Sequence, residues 1–181
     1  MLNEVAKELF NEISKIPCIN SHSHLFPEKD RLPQEVDALV FFQHAYPAAD
    51  LASAGMSDVN MKKALTPGLP LDERWKIFEP YWKRIRLTGY SQCIIESFRD
   101  IFGYDELTAN SVGAISEAIR KHSKPGFYED ILKNKSNIAI SLMNMDDLID
   151  VDRSLFIPLP RLNRFSMIHS QDQIHAIEKD Y

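Results

Sequence analysis

Three short apolar segments, separated by long stretches of helical pattern, constrain the fold of this chain more than any other feature. They read "CINSHSHL" from Cys18, "NIAISLM" from Asn137 and "SLFIPL" from Ser154. The second and third segments are short, β-branched and apolar, which is typical of β-strands that are buried on both faces. The first alternates Ile and His and is bounded by Pro17 and Pro27, which also indicates a strand. Strands joined by helical connections pair in parallel, so the sequence predicts an α/β fold with a parallel sheet.

The sequence between these segments predicts helices. Apolar residues at helical spacing run from Leu2 to Ile16, and Pro17 ends the pattern. The segment "LDERWKIFEPYWKRIRL" places four large apolar side chains on one helical face, which indicates core packing. They are Trp75, Phe78, Trp82 and Ile85.

Glycine, proline and N-cap residues mark the expected ends of the helices. Gly103 ends one helix, Thr108 is the expected N-cap of the next, Pro125 begins a short one, and Ser170 is the expected N-cap of the last. We therefore expect a single domain over residues 1–181, in which residues 33–135 form a mainly helical insertion.

Charge and cysteine content exclude several classes of protein. The net charge of −5, with no basic stripe, argues against nucleic-acid binding. Cys18 and Cys93 lie far apart and form no CxxC pair, which favours a reducing, cytoplasmic setting. The first residues carry acidic side chains among the apolar ones, unlike a signal peptide. No run approaches the roughly 20 apolar residues of a membrane span, so we expect no membrane partner.

The first predicted strand carries the pattern H-x-H. Because side chains two residues apart on a strand point to the same face, His22 and His24 should lie together, with Asn20 on that face as well. Imidazole is the commonest metal ligand, and the carboxyl end of a parallel strand is where α/β proteins build their active sites. We therefore predict that His22 and His24 bind a divalent metal.

The stretch "INSHSHL" resembles the first-strand D-x-H-x-H signature of the amidohydrolase superfamily, with Asn20 where the family has an acid. The helical stretch "YWKRIRLTGYSQCIIESFRDIFGYDELTANS" and the segment "FIPLPRLNRF" resemble the branch close to the uronate isomerases, with Arg161 followed by Asn163 instead of an acid.

This resemblance implies the N-terminal part of a metal-dependent (β/α)8 TIM barrel with a large helical insertion after strand 1. It implies zinc as the metal and a small-molecule substrate whose amide or ester-like bond is attacked by metal-activated water. A sugar-acid isomerase or decarboxylase is the alternative within the family.

The remaining ligands of the family follow later strands than the third, so we expect this chain to be part of a longer protein. An alternative is a non-catalytic α/β module derived from such an enzyme, which Asn20 and Asn163 would suit, because an amide lacks the charge that orients a ligating histidine. A third alternative is that the two histidines are structural. An unfinished sheet would also expose its edge, so a homo-oligomer is expected.

Other polar residues are expected to lie outside the metal site. Arg161 could bind a substrate carboxylate or simply pair with a neighbouring acid. The acidic stretch "NMDDLIDVD" lacks the glycine and spacing of a calcium loop and predicts a solvated turn. The remaining histidines are expected to be exposed or to cap helices; they are His44, His122, His169 and His175.

Overall fold

The structure is a computed structural model that describes residues 3–32, 35–145, 151–160 and 168–180. Its contacts divide the chain into two compact units. A sheet unit comprises Met1–Arg31 with Tyr128–Tyr181, and a helical unit comprises Leu32–Phe127. The described fold is thus a mixture of α-helices and parallel β-strands. None of the described helices is both long and apolar enough to cross a membrane.

The described residues of the sheet unit form three strands, three α-helices and a π-helix. In chain order they are α1 (Glu4–Ile13), β1 (Cys18–Ser23), α2 (Glu28–Arg31), the π-helix (Glu129–Lys135), β2 (Ile138–Met145), β3 (Phe156–Pro160) and α8 (Gln171–Asp180).

Five α-helices and one 3-10 helix are formed by the part of the helical unit that the structure describes. In chain order they are the 3-10 helix (Val40–Gln43), α3 (Ala45–Ser53), α4 (Asp58–Leu65), α5 (Leu71–Ile85), α6 (Gly89–Phe102) and α7 (Val112–His122). The helical insertion expected over residues 33–135 and the unit Leu32–Phe127 overlap along most of their length.

The three predicted strands form one parallel sheet in the order β1-β2-β3. The pairs Asn20 with Ser141, and Ser141 with Phe156, set the register across the sheet. Because all three strands run the same way, their carboxyl ends lie along one edge of the sheet. His24, the first residue after β1, therefore lies at that edge.

The expectation that β2 and β3 are buried on both faces is wrong. Ser141 and Met143 are buried, but Ala139 on β2 is exposed. On β3, Ile157 is 45% exposed and Leu159 40% exposed. The apolar sequences of β2 and β3 predict that both faces of the sheet are covered by other elements. The described part of this three-stranded sheet buries only some of its side chains.

The opening helix forms as predicted but buries none of its side chains. Asn3 caps it by accepting a hydrogen bond from Ala6 N–H at 2.8 Å. Its apolar stripe faces outward, with the exposed fraction above half for every member. The stripe consists of Val5, Leu9, Phe10 and Ile13.

The helical unit has its own apolar core. The predicted aromatic face of α5 lies inside it, which confirms the core-packing interpretation. Phe78 is fully buried and its ring lies 4.9 Å from Phe42, while the Trp82 indole donates to Leu107 O at 3.0 Å. The aromatic face of α5 is buried although Pro80 lies inside this helix.

A buried ion pair joins the 3-10 helix, α4 and α5. Arg74 is 2% exposed, pairs with Asp37 and donates from Nε to the Ala64 carbonyl at 2.8 Å. The Asp37 carboxylate also accepts the N–H of Leu39 at 2.9 Å, at the start of the 3-10 helix. Each buried charge is therefore compensated by the other and by backbone dipoles.

Two predicted helix starts are wrong. Helix α7 begins at Val112, because Thr108 and Ser111 instead form a turn in which their side chains bond each other at 3.1 Å. The segment expected to start at Pro125 begins at Glu129 as a π-helix. Gly103 does end α6, with a φ of 80° that suits glycine, and Ser170 caps α8 by accepting from Gln173 N–H at 3.3 Å.

Candidate metal centre

His22 and His24 lie together at the carboxyl end of β1. His22 is the penultimate residue of the strand, and His24 follows its last residue, Ser23. The two rings are in edge contact with centroids 4.6 Å apart, and their Nε2 atoms are 2.8 Å apart. Both side chains are exposed. Two imidazole nitrogens therefore lie together at this edge of the sheet, where the pairing of β1 with β2 shifts register between Asn20 and Ser23.

A main-chain carbonyl of the neighbouring strand orients the His24 ring. The Nδ1 atom of His24 lies 3.1 Å from the carbonyl oxygen of Asn144 on β2. A carbonyl only accepts hydrogen bonds, so this contact requires His24 to donate from Nδ1, and in the corresponding neutral tautomer the lone pair lies on Nε2. In that tautomer Nε2, which lies 2.8 Å from His22 Nε2, is the nitrogen that would ligate a metal.

Asn20 is engaged with the strands. Its Oδ1 accepts the backbone N–H of His22 at 3.3 Å, and its Nδ2 makes a long contact of 3.5 Å with the hydroxyl of Ser141. Ser141 is fully buried. Asn20 thus helps to set the main chain of β1 against β2, and the role of orienting a ring falls to Asn144.

The donor set suits a divalent ion of intermediate softness. Two imidazole nitrogens are ligands that zinc prefers, at about 2.0–2.1 Å each. With their Nε2 atoms 2.8 Å apart, His22 and His24 are close enough to reach one ion together. Within the described residues, no third His, Cys, Asp or Glu joins them in a group that could hold a metal.

The other histidines have the surroundings expected for exposed or capping residues. His44, His169 and His175 are exposed. The His122 Nδ1 atom lies 2.8 Å from the Ala118 carbonyl, in the last turn of α7, and its ring packs edge-on against Phe102. The His122 imidazole thus bonds the carbonyl of its own helix at the C-terminal end, which fits the expectation that these histidines are exposed or cap helices.

The acidic stretch is described only from Val151 onward. Asp152 Oδ1 accepts the Ser154 N–H at 2.8 Å in the turn before β3. Hydrogen bonds from the Ser154 side chain and backbone lower the pKa of Asp152. These observations fit the predicted turn. Asp146, Asp147, Asp150, Arg161 and Asn163 lie outside the described residues.

The contribution of Asn144 was missed by the sequence reasoning. It comes from a backbone carbonyl, so the residue type carries no signal, and only the register of β1 against β2 brings that oxygen to His24. The H-x-H pattern indicated the two candidate ligands but not the group that orients His24.

Comparison with known proteins adds no family assignment to this geometry. The sequence matches neither a family model nor a curated protein.

Proposed function

We propose that this chain supplies the first strands of a (β/α)8 barrel in a metal-dependent hydrolase of the amidohydrolase superfamily, with His22 and His24 as ligands of a zinc ion. The observation that carries the proposal is the pair of Nε2 atoms 2.8 Å apart at the carboxyl edge of a parallel sheet, with His24 oriented through Nδ1. The resemblance of "INSHSHL" to the family signature supports the same site.

The residues of this chain would act by holding the donor atoms. Asn144 holds His24 in the tautomer that presents a lone pair on Nε2, and Asn20 restrains the main chain at His22. A bound divalent ion would act as a Lewis acid on an amide or ester carbonyl and lower the pKa of a water. Both rings are exposed, so a small substrate could reach this edge of the sheet.

A second candidate function is that of a metal-binding or ligand-binding module without catalysis. It is favoured by Asn20, whose amide contacts Ser141 and the His22 backbone where the family signature has an acid. A missing carboxylate removes a group that could ligate a metal or orient a ligand.

The binding test is a zinc titration by calorimetry. The chain should bind one ion, and the double variant His22→Ala, His24→Ala should lose more than about tenfold in affinity, because even indirect support of a ligand contributes that much. The matched control is His169→Ala, His175→Ala, which removes two exposed histidines and should bind as the unaltered chain does. Equal stoichiometry and affinity in both double variants would remove His22 and His24 from the site.

The catalytic test follows on the zinc-loaded protein. Turnover of amides or esters that disappears in the His22→Ala, His24→Ala variant would support the hydrolase, and turnover of uronates would favour the isomerase alternative. Zinc binding without turnover on any of these classes would favour the module.

A further inference from the structure

Tyr128 is buried beside the turn that follows the two histidines. Its side chain is 4% exposed, and its hydroxyl donates to the carbonyl of Phe26 at 2.8 Å. Its ring packs edge-on against Phe156 of β3, with centroids 5.7 Å apart. Tyr128 therefore connects the segment after β1 with the opposite edge strand of the sheet.

The backbone N–H of Tyr128 bonds a second residue of the same turn. Its N–H donates to Glu28 Oε1 at 2.7 Å, and Glu28 is the first residue of α2. Tyr128 directly precedes the π-helix, whose N-terminal end favours a carboxylate. The side chain and main chain of Tyr128 thus bond the residues on both sides of Pro27.

The turn that Tyr128 bonds also restricts the backbone near His24. Pro27 is buried, its ring fixes its own φ, and it restricts Phe26 to extended conformations. Phe26 is two residues beyond His24, so holding the Phe26 carbonyl limits how far the His24 backbone can move. The His24 Nδ1 atom lies 3.1 Å from Asn144 O, so a shift of the His24 backbone would change this contact.

We propose that Tyr128 is a positioning residue for the centre formed by His22 and His24. By clamping the turn at Phe26 and Glu28, it keeps the His24 ring within reach of Asn144 and so keeps Nε2 available to a metal. The metal part of this proposal rests on the proposed function, while the placement of the His24 ring does not.

The test compares Tyr128→Phe, which keeps the buried ring and removes the hydroxyl, with two controls. Tyr90→Phe removes an exposed hydroxyl from the helical unit. Asn137→Ala destabilises the sheet unit at the other end of β1, where Asn137 has a φ of 50° and donates to Ser14 O at 3.1 Å. The readouts are the His24 tautomer from long-range 15N–1H correlations, the zinc affinity and the melting temperature.

We expect Tyr128→Phe to shift His24 away from the Nδ1–H tautomer and to weaken zinc binding by about tenfold or more, a loss typical of residues that support a ligand. Glu28→Ala, which removes the second hydrogen bond and keeps the hydroxyl, should shift the tautomer in the same direction. Asn137→Ala should lower the melting temperature while leaving the tautomer and the zinc affinity unchanged, and Tyr90→Phe should change none of the three readouts.

An unchanged tautomer and affinity in Tyr128→Phe would overturn the inference, as would an equal loss of affinity in Asn137→Ala, because the effect would then follow stability alone. If the unaltered chain binds no zinc, the proposed function fails and the tautomer measurement alone decides. A shift in Tyr128→Phe would then still support positioning, and no shift would refute it.

Discussion

At the scale of single residues, the two proposed ligands are distinct from the groups that orient them. His22 and His24 present nitrogens at one point, and a backbone carbonyl at Asn144 selects the tautomer of His24. Asn20 and Tyr128 act on the main chain around the pair. The site therefore depends on hydrogen bonds that tie β1 and its following turn to segments more than 100 positions away in the sequence.

We predict that ionisation of the Tyr128 hydroxyl lowers the free energy of unfolding at alkaline pH. Burial raises the pKa of Tyr128 above its usual value, with the Glu28 carboxylate acting in the same direction and Arg31 opposing it. The folded state therefore retains the proton longer than the unfolded state. This contribution to the free energy of unfolding is complete below about pH 10, the ordinary tyrosine pKa, and is lost as the pH rises through the folded value.

Urea unfolding at about pH 8 and about pH 11, on either side of the ordinary tyrosine pKa, checks this. Tyr128→Phe should lower the free energy of unfolding by about 1 kcal/mol at the lower pH, for the lost hydrogen bond. It should then lose less stability on alkalinisation than the unaltered chain. Tyr90→Phe, at an exposed site, should follow the unaltered chain, and parallel curves for all three proteins would contradict the prediction.

At the scale of elements, the helical unit is organised around a charged pair as well as an apolar core. Arg74 on α5 bonds Asp37 before the 3-10 helix and the carbonyl of Ala64 near the end of α4. Helix α1 of the sheet unit is organised differently, since it is capped by Asn3 and carries ion pairs such as Lys7 with Glu4 but buries no side chain. Burial of side chains therefore contributes more to holding α5 in place than to holding α1.

Arg74→Met tests the buried pair. The substitution leaves the Asp37 carboxylate buried without its charge partner, so the free energy of unfolding should fall by about 3–5 kcal/mol. Lys76→Met on the same helix is the control, because Lys76 is exposed and lies 3.8 Å from Asp72 in a surface pair of small value. Denaturant unfolding of both variants measures the difference, and similar losses would show that the pair at Arg74 contributes no more than a surface pair.

At the scale of the whole molecule, the chain consists of a sheet unit built from its two ends and a helical unit inserted between them. All residues of the main buried cluster lie between Ala38 and Ile119, within the helical unit. The sheet unit instead exposes many large apolar side chains, on α1 and on β3 among other places.

The helical unit should fold when residues 32–127 are produced alone, because its core is contained within it. We expect a single cooperative unfolding transition by circular dichroism and by tryptophan fluorescence. Phe78→Ala in this fragment should lower the free energy of unfolding by about 3–5 kcal/mol, since Phe78 is fully buried. Non-coincident transitions with binding of a hydrophobic dye would contradict independent folding.

The exposed stripe of α1 leads us to expect self-association of the chain that increases with concentration. Leu9→Gln with Ile13→Gln should reduce it while changing the free energy of unfolding by less than about 0.5 kcal/mol, because both side chains are exposed. The matched control is Val59→Gln with Leu87→Gln, two exposed apolar positions of the helical unit. Light scattering that shows a monomer at every concentration would refute the prediction.

Much of the local structure could be read from the sequence, because the signals are themselves local. The apolar runs at Cys18, Asn137 and Ser154 correspond to the three strands, and the periodicity of α5 identifies its buried face. The start of α7 could not be read in this way. Thr108 is a suitable N-cap residue and its hydroxyl accepts the Ser111 N–H at 3.2 Å, but this bond belongs to a turn that precedes α7. Nothing in the pattern distinguishes a cap from such a turn.

The sequence predicted that His22 and His24 lie together, because they are separated by one position, and their Nε2 atoms are 2.8 Å apart. The parallel pairing was likewise implied by helical connections. The structure decided the local backbone, since β1 ends at Ser23 and its pairing with β2 shifts register between Asn20 and Ser23. Tertiary structure decided the rest: the tautomer of His24, the partners of Asn20, the clamp at Tyr128 and the incomplete burial of β2 and β3. Each of these depends on strand register and on contacts between distant segments, which no local pattern of side chains encodes.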